Sequence, residues 1–309
     1  MQNECTLSLS LFGAASLQLV QGGEVVRPVR LCTQSRNLLA YLALARGAPR
    51  SRTELSLALR DAGDEPARPG AVNSALWRLR SALDAPPCEA GGLIFKERDG
   101  QVGLRTDARL AIDTEAFLQH VLPVLALPLE RIEAAHVEQL RRGVALYAGD
   151  LLPGVHEDWV LREREKLRRH QLNALWRLLE LSERGGDFAG GIRWAEALLE
   201  IDDVREDVHR ELMRLYLRAG QRALALRQYE RCREILKRQL AIVPMPETQA
   251  LYQQIVGEAV ARRAPEIPRA PPPPDHALPD LLASARRHIA AADDDIARAQ
   301  SRRGGPQGP

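Results

Sequence analysis

Cysteine is scarce. Cys5, Cys32, Cys88 and Cys232 are the four in 309 residues, and none lies close to another. That spacing excludes a zinc ribbon, a redox CxxC pair and a disulfide framework, and it fits a chain working in a reducing cytosol. The seven histidines are scattered too, without the H-E-x-x-H or H-x-x-E-H spacing that sets metal ligands on one helix face. Aromatic residues are only 4% of the chain, too few for an all-β sandwich rich in Tyr and Trp. No apolar run reaches the roughly 18 residues of a membrane helix. The opening MQNECTLSLSLFGAASLQLV lacks the basic n-region of a signal peptide. Phosphate-cradling and nucleophile motifs (G-x-x-x-x-G-K-[ST], G-x-G-x-x-G after a strand, G-x-S-x-G) are missing as well. The expectation is a non-enzyme with no catalytic, cofactor-binding or metal-ligating residues. Asp293-Asp294-Asp295 reads as a solvated surface turn rather than a metal site.

Charge of one sign is also missing. Lys plus Arg number 43 and Asp plus Glu 41, a net charge of +2, which excludes a histone-like polycation but leaves room for a local basic face. Hydrophobic residues make up 45% and charged residues 27%, as in folded domains. The length allows two or three of them.

The apolar pattern changes period along the chain. Leu7, Leu9, Leu11 and then Leu17, Leu19 alternate as in strands, with Gly22-Gly23 as a hairpin turn. From Thr33 the spacing turns helical through Leu38, Leu39 and Leu42, up to Gly47. Ser51-Arg-Thr-Glu54 forms a capping box, predicting a short helix with Leu55, Leu57 and Leu59. Asp61–Gly70 reads as a loop. A third helix follows over Ala71–Leu83, with Val72, Ala75, Leu76, Leu79 and Leu83 on its apolar face. Leu93–Lys96 and Val102–Arg105 form a hairpin turned at Asp99-Gly100. A strand-rich start, three helices and a hairpin are the order of a winged helix-turn-helix.

From about Asp113 to Ala261 the chain reads as helical. Residues 180–201 align with 214–235 at an offset of 34, matching Gly186 with Gly220, Ala189 with Ala223 and Arg193 with Arg227. That period, with glycine at the turn and a small residue soon after, is the tetratricopeptide pattern. Gly190-Gly191 is expected in a helix turn. Beyond Arg263, Pro265, Pro268, Pro271–Pro274 and Pro279 favour an extended linker, followed by a short amphipathic helix and a disordered tail. The fold expected is mainly α. An α+β winged helix-turn-helix occupies 1–110 and an all-α, tetratricopeptide-like helical-repeat domain 111–262. A Pro-rich linker covers 263–279, and the amphipathic helix and tail cover 280–309.

The third helix carries the candidate site. With the apolar stripe turned inward, Ser74, Trp77, Arg78 and Ser81 point away from the core, flanked by Asn73 and Arg80. Arginine, amide and hydroxyl groups are what a helix needs to read base edges in a major groove. Arg68 upstream and Arg98 in the hairpin would reach phosphates. On this helix alone, a plain amphipathic helix with a solvated face competes evenly, and Trp77 fits folding back onto a neighbouring helix as well as stacking. The surrounding element order favours the DNA reading. Double-stranded DNA is the expected partner.

Longer stretches carry a family resemblance. LFG at 11–13, LLAYLAL at 38–44, SRTELSLAL at 51–59 and LWRLRSAL at 76–83 make up its first half. AIDTEAF at 111–117, YAGDLLPG at 147–154, DW at 158–159, REDVHRELMRLYLRAGQRALALRQYERCREIL at 205–236 and PMPETQALYQQI at 244–255 make up its longer second half. Over about residues 5–260 the chain resembles the Streptomyces antibiotic regulatory protein type of transcription factor, which joins an OmpR-type winged helix to a bacterial transcriptional activator domain. The resemblance implies a cytoplasmic activator whose helical domain supports homodimer formation or contacts RNA polymerase, with no membrane partner. The chain departs from the family pattern at Gln34, where a basic residue is usual, at Arg60 in place of a tryptophan, and at Asn73 in place of an arginine. Those departures motivate an alternative, a tetratricopeptide-like scaffold binding a protein or a signal, with a winged helix of weak or lost DNA specificity.

Overall fold

The computed structural model describes residues 5–59, 69–84, 92–105, 109–263, 282–286 and 290. Three strands open the chain: β1 Cys5–Ser10, β2 Ser16–Gln21 and β3 Glu24–Pro28. Gly22 and Gly23, at φ 62° and 89°, turn the β2–β3 hairpin, which demands positive φ at both central residues. Alternation buries Leu7, Leu9, Leu17 and Leu19 on one face of the sheet. Strand β6, Leu110–Ile112, returns to the same sheet parallel to β1, pairing Leu7 with Leu110 in the order β3-β2-β1-β6.

Between β3 and β6 lie three helices and a second hairpin. Helix α1 spans Thr33–Leu44 and buries Leu38, Leu39 and Leu42. Helix α2 spans Arg52–Ala58 and opens on the expected capping box: Ser51 Oγ accepts from Glu54 N at 3.2 Å, while Ser51 N donates to Glu54 Oε2 at 2.8 Å. Helix α3 spans Pro69–Leu83. It starts two residues earlier than the periodicity indicates. Pro69 and Gly70, read from the sequence as loop, form its first turn, where proline's fixed φ and missing N–H are no handicap. Strands β4, Ile94–Lys96, and β5, Val102–Leu104, form the hairpin, with Gly100 at φ 89° in its turn.

From Asp113 to Arg263 helices follow one another: α4 Asp113–Leu125, α5 Ala134–Leu146, α6 Asp158–Arg184, α7 Phe188–Ile201, α8 Glu206–Arg218, α9 Arg222–Leu240 and α10 Pro246–Arg263. The repeat period is visible in the helix pairs, since α7 and α9 begin at Phe188 and Arg222, just after Gly186 and Gly220, both at φ 72°. Gly190 and Gly191 are not in the turn, as the sequence reading placed them, but inside α7. Gly190 N donates to the N-cap carboxylate of Asp187 at 2.8 Å. A Cβ on Gly191 would come within 3.0 Å of Leu215, so that glycine lets α7 lie close against α8.

The apolar core is continuous from the sheet through α1, α3 and the β4–β5 hairpin into α4 and α6, where Leu167, Ala174 and Leu178 complete it. A second core, from Leu175 to Ile255, joins α6 to α10. Two polar anchors stiffen the join. Trp159 Nε1 donates to the carbonyl of Ala58 at 3.2 Å, tying α6 to the end of α2. Arg164 donates to the carbonyls of Leu151, Leu152 and Val155 at 2.7–2.9 Å, closing the α5–α6 connection onto α6.

The chain divides into two units, Met1–Val256 and Gly257–Pro309. In the second, residues up to Arg263 continue α10, and 282–286 and 290 are helical. The rest of the linker and tail read from the sequence lies outside the described residues. Among the described residues no helix is long and apolar enough to cross a membrane.

Candidate nucleic-acid interface

Helix α3 has two chemically distinct faces. Val72, Ala75, Leu76, Leu79 and Leu83 are buried, and each fully buried Leu contributes about 1.5–3 kcal/mol to holding the helix in place. The opposite face holds Asn73, Ser74, Trp77, Arg78, Arg80 and Ser81, all exposed. Trp77 is 70% exposed, so it does not fold back onto a neighbouring helix. Ser35 Oγ of α1 donates to the carbonyl of Ala75 at 3.3 Å and fixes α3 against α1.

Several of the exposed side chains are oriented by neighbours. Ser74 Oγ donates to Gly70 O at 2.9 Å, one turn back, which leaves its lone pairs outward. Asn73 Oδ1 accepts from Arg52 Nη1 at 2.5 Å, across the α2–α3 pair. Arg78 Nη1 lies 3.8 Å from Cys32 Sγ at the start of α1. Cys32 is exposed and hydrogen-bonded with Ser35 at 3.2 Å, and those contacts, followed by the Arg78 guanidinium, hold its thiol below the usual cysteine range. Arg98 is exposed in the turn of the β4–β5 hairpin, beside Asp99, whose carboxylate accepts from Gln101 N at 3.0 Å. Arg50 and Val102 exchange backbone hydrogen bonds at 2.8 Å, so the hairpin is pinned to the residue before the α2 capping box. Arg68 lies outside the described residues.

Seven of the eight residues singled out from the sequence are thus placed, six on one face of α3 and Arg98 on the hairpin. The periodicity of α3 did not reveal Arg52 or Cys32, because Arg52 reaches the face from α2 and Cys32 from the residue before α1. The capping box does mark Arg52 as the first residue of α2, and an arginine on an exposed first turn is the one signal that pointed there.

Comparison with known proteins adds the lineage of this architecture. Residues 112–256 match the bacterial transcriptional activator domain. The regulatory protein AfsR of Streptomyces coelicolor is 30% identical over 226 residues, covering 72% of this chain and 22% of that protein. AfsR of Streptomyces griseus is 27% identical over 241 residues, covering 75% of this chain and 23% of that one. The chain therefore spans about a fifth of the length of these curated relatives. Among solved structures, Mycobacterium tuberculosis EmbR, in complex with a low-affinity phosphopeptide, has a TM-score of 0.60 at 22% identity. It covers 82% of this chain and 66% of the EmbR chain and shows the shared fold. Together these findings make the chain similar to regulators of the Streptomyces antibiotic regulatory protein type, with a bacterial transcriptional activator domain over 112–256.

Proposed function

We propose that the chain is a sequence-specific DNA-binding transcription regulator, an activator working in the cytoplasm. Helix α3 enters the major groove, and the β4–β5 hairpin touches the adjacent backbone or minor groove through Arg98. Asn73, Ser74, Trp77, Arg78, Arg80 and Ser81 supply the contacts of the helix, and Arg68 one at its start. The observation that carries this reading is the composition of one helix face. A tryptophan at 70% exposure stands among arginine, amide and hydroxyl groups, on a helix whose other face is buried in the core. Solvation alone gives no reason to expose an indole there, whereas stacking or groove packing does.

Bulk charge does not drive binding in this reading. Residues 1–110 carry 14 Lys plus Arg and 11 Asp plus Glu, so affinity rests on placed contacts. The helical part, from α4 onward, supports homodimer formation or contacts RNA polymerase. Two linked modules on neighbouring half-sites raise affinity without any new contact. The test is binding of the purified chain to duplexes from its own upstream region and to shuffled duplexes, at two salt concentrations. A preference for the upstream duplex, with affinity falling steeply as salt rises, is the expected result. Equal binding to both sequences would refute it.

A further inference from the structure

Arg52 and Asn73 belong to different helices, 21 residues apart in sequence, yet both are exposed and they meet at 2.5 Å on the face described above. Arg52 is the first residue of α2, held in place by the capping box of Ser51 and Glu54. Asn73 sits near the start of α3.

The chemistry of the contact fixes the amide. A guanidinium has only N–H donors, so the group facing it must be the amide oxygen. Asn73 Oδ1 is therefore turned toward Arg52, and its Nδ2 amino group is turned away. An asparagine that pairs with adenine in the major groove uses both ends of its amide: the oxygen accepts from N6 and the nitrogen donates to N7. Here one of that oxygen's two lone pairs is taken by a guanidinium. The groups the pair offers to a base are then mostly donors, the Asn73 amino group and the other N–H groups of Arg52. Guanine presents two acceptors side by side, N7 and O6, whereas adenine presents an acceptor beside a donor.

We propose that Arg52 and Asn73 act as one donor-rich unit that selects guanine over adenine at a single position of the target. The proposal rests on the reading of α3 as a major-groove helix. Arg52 is thereby a specificity-determining residue outside the reading helix, acting through Asn73.

The experiment is selection of binding sites by the full-length chain from a pool of random-sequence duplexes at fixed salt, followed by sequencing. It is repeated with Arg52→Ala, Asn73→Ala and Asn73→Asp. All three changes lie on exposed positions and leave the buried face of α3 intact. The expected result is a wild-type motif with one guanine position that both alanine variants lose, by about tenfold in discrimination, while the rest of the motif persists. Asn73→Asp keeps the pair with Arg52 but removes the outward amino group. It is expected to lose the guanine preference in the same position and to shift it toward cytosine, whose N4 amino group a carboxylate accepts. If the wild type selects no motif, the DNA-reading function itself is wrong. If the wild type selects a motif and Arg52→Ala selects the same one, with only a uniform loss of affinity and a shallower salt dependence, Arg52 is a phosphate contact and the proposal is overturned.

Discussion

The carboxylate of Asp113 accepts the backbone N–H of Leu11 on both its oxygens, at 2.9 and 2.8 Å, and that of Phe12 at 3.0 Å. Asp113 opens α4, and Leu11 follows β1, so one side chain joins the start of the chain to the first helix of the activator domain. Burial pushes its carboxyl upward, against the amide hydrogen bonds that favour the ionised form. Replacing Asp113 by alanine strands two amides beside buried Leu11 and Phe12, at about 1–3 kcal/mol for each unsatisfied group. A loss of about 2–4 kcal/mol in denaturant unfolding is expected for Asp113→Ala, and a smaller one for Asp113→Asn, which keeps one acceptor.

The β4–β5 hairpin depends on a missing side chain. Phe95 pairs with Gly103 across the hairpin, and a Cβ at Gly103 would fall 2.2 Å from the Phe95 ring. Gly103→Ala therefore displaces the ring, at a cost of about 1–3 kcal/mol. Gly103→Ala with Phe95→Ala is expected to recover the backbone pairing. Hydrogen exchange at the Phe95 and Gly103 amides checks both, fast in the single variant and slowed again in the double.

Two cysteines differ in reactivity for separable reasons. Cys32 is exposed with a lowered thiol pKa, whereas Cys232 is buried, and that burial raises its thiol to about 12. Under native conditions at neutral pH an alkylating reagent is expected to label Cys32 well before Cys232, as read by peptide mass spectrometry. Arg78→Ala is expected to slow Cys32 labelling, since the guanidinium at 3.8 Å favours the thiolate.

His209 gives a pH dependence of known sign. It is fully buried, with Nε2 at 2.9 Å from Asp203 O and Nδ1 at 2.6 Å from Gln228 Nε2. Burial lowers its pKa, the Arg231 charge acts in the same direction, and Asp203 and Glu206 oppose it. The folded value lies below the unfolded one of about 6.5. The contribution of His209 to stability is thus present above about 6.5 and is lost as pH falls below it. Glu183, raised to about 7 first by burial and then by Glu211, acts oppositely, gaining as pH falls through 7. A difference measurement cancels that opposing term. The stability gap between wild type and His209→Gln is expected to narrow from pH 7.5 to pH 5.5 in denaturant unfolding.

Local signals carried much of this architecture. The capping box at Ser51 and Glu54, the Gly22-Gly23 turn and the two glycines 34 residues apart each act over a few residues, so sequence suffices to place them. The two faces of α3 followed from a 3.6-residue period. Contacts across sequence distance were not legible. A three-residue strand such as Leu110–Ile112 has no periodicity to read, and its pairing with β1 depends on tertiary packing. Arg164 lies in a stretch rich in charge, the local pattern of a solvated helix face, yet its guanidinium closes onto three carbonyls. For the same reason the Arg52–Asn73 pair emerged only from the fold, and so did the exposure of Trp77.

The central claim is that α3 reads DNA, and genome-wide occupancy of the tagged chain in its host tests it most directly, beside a Trp77→Ala, Arg78→Ala double variant. Both changes fall on exposed positions, so the variant is expected to fold. The account predicts sharp peaks upstream of a small set of operons in the wild type and their loss in the variant. Stable wild-type protein without peaks, under inducing and non-inducing conditions, would contradict it and move the function to the helical domain as a partner-binding scaffold.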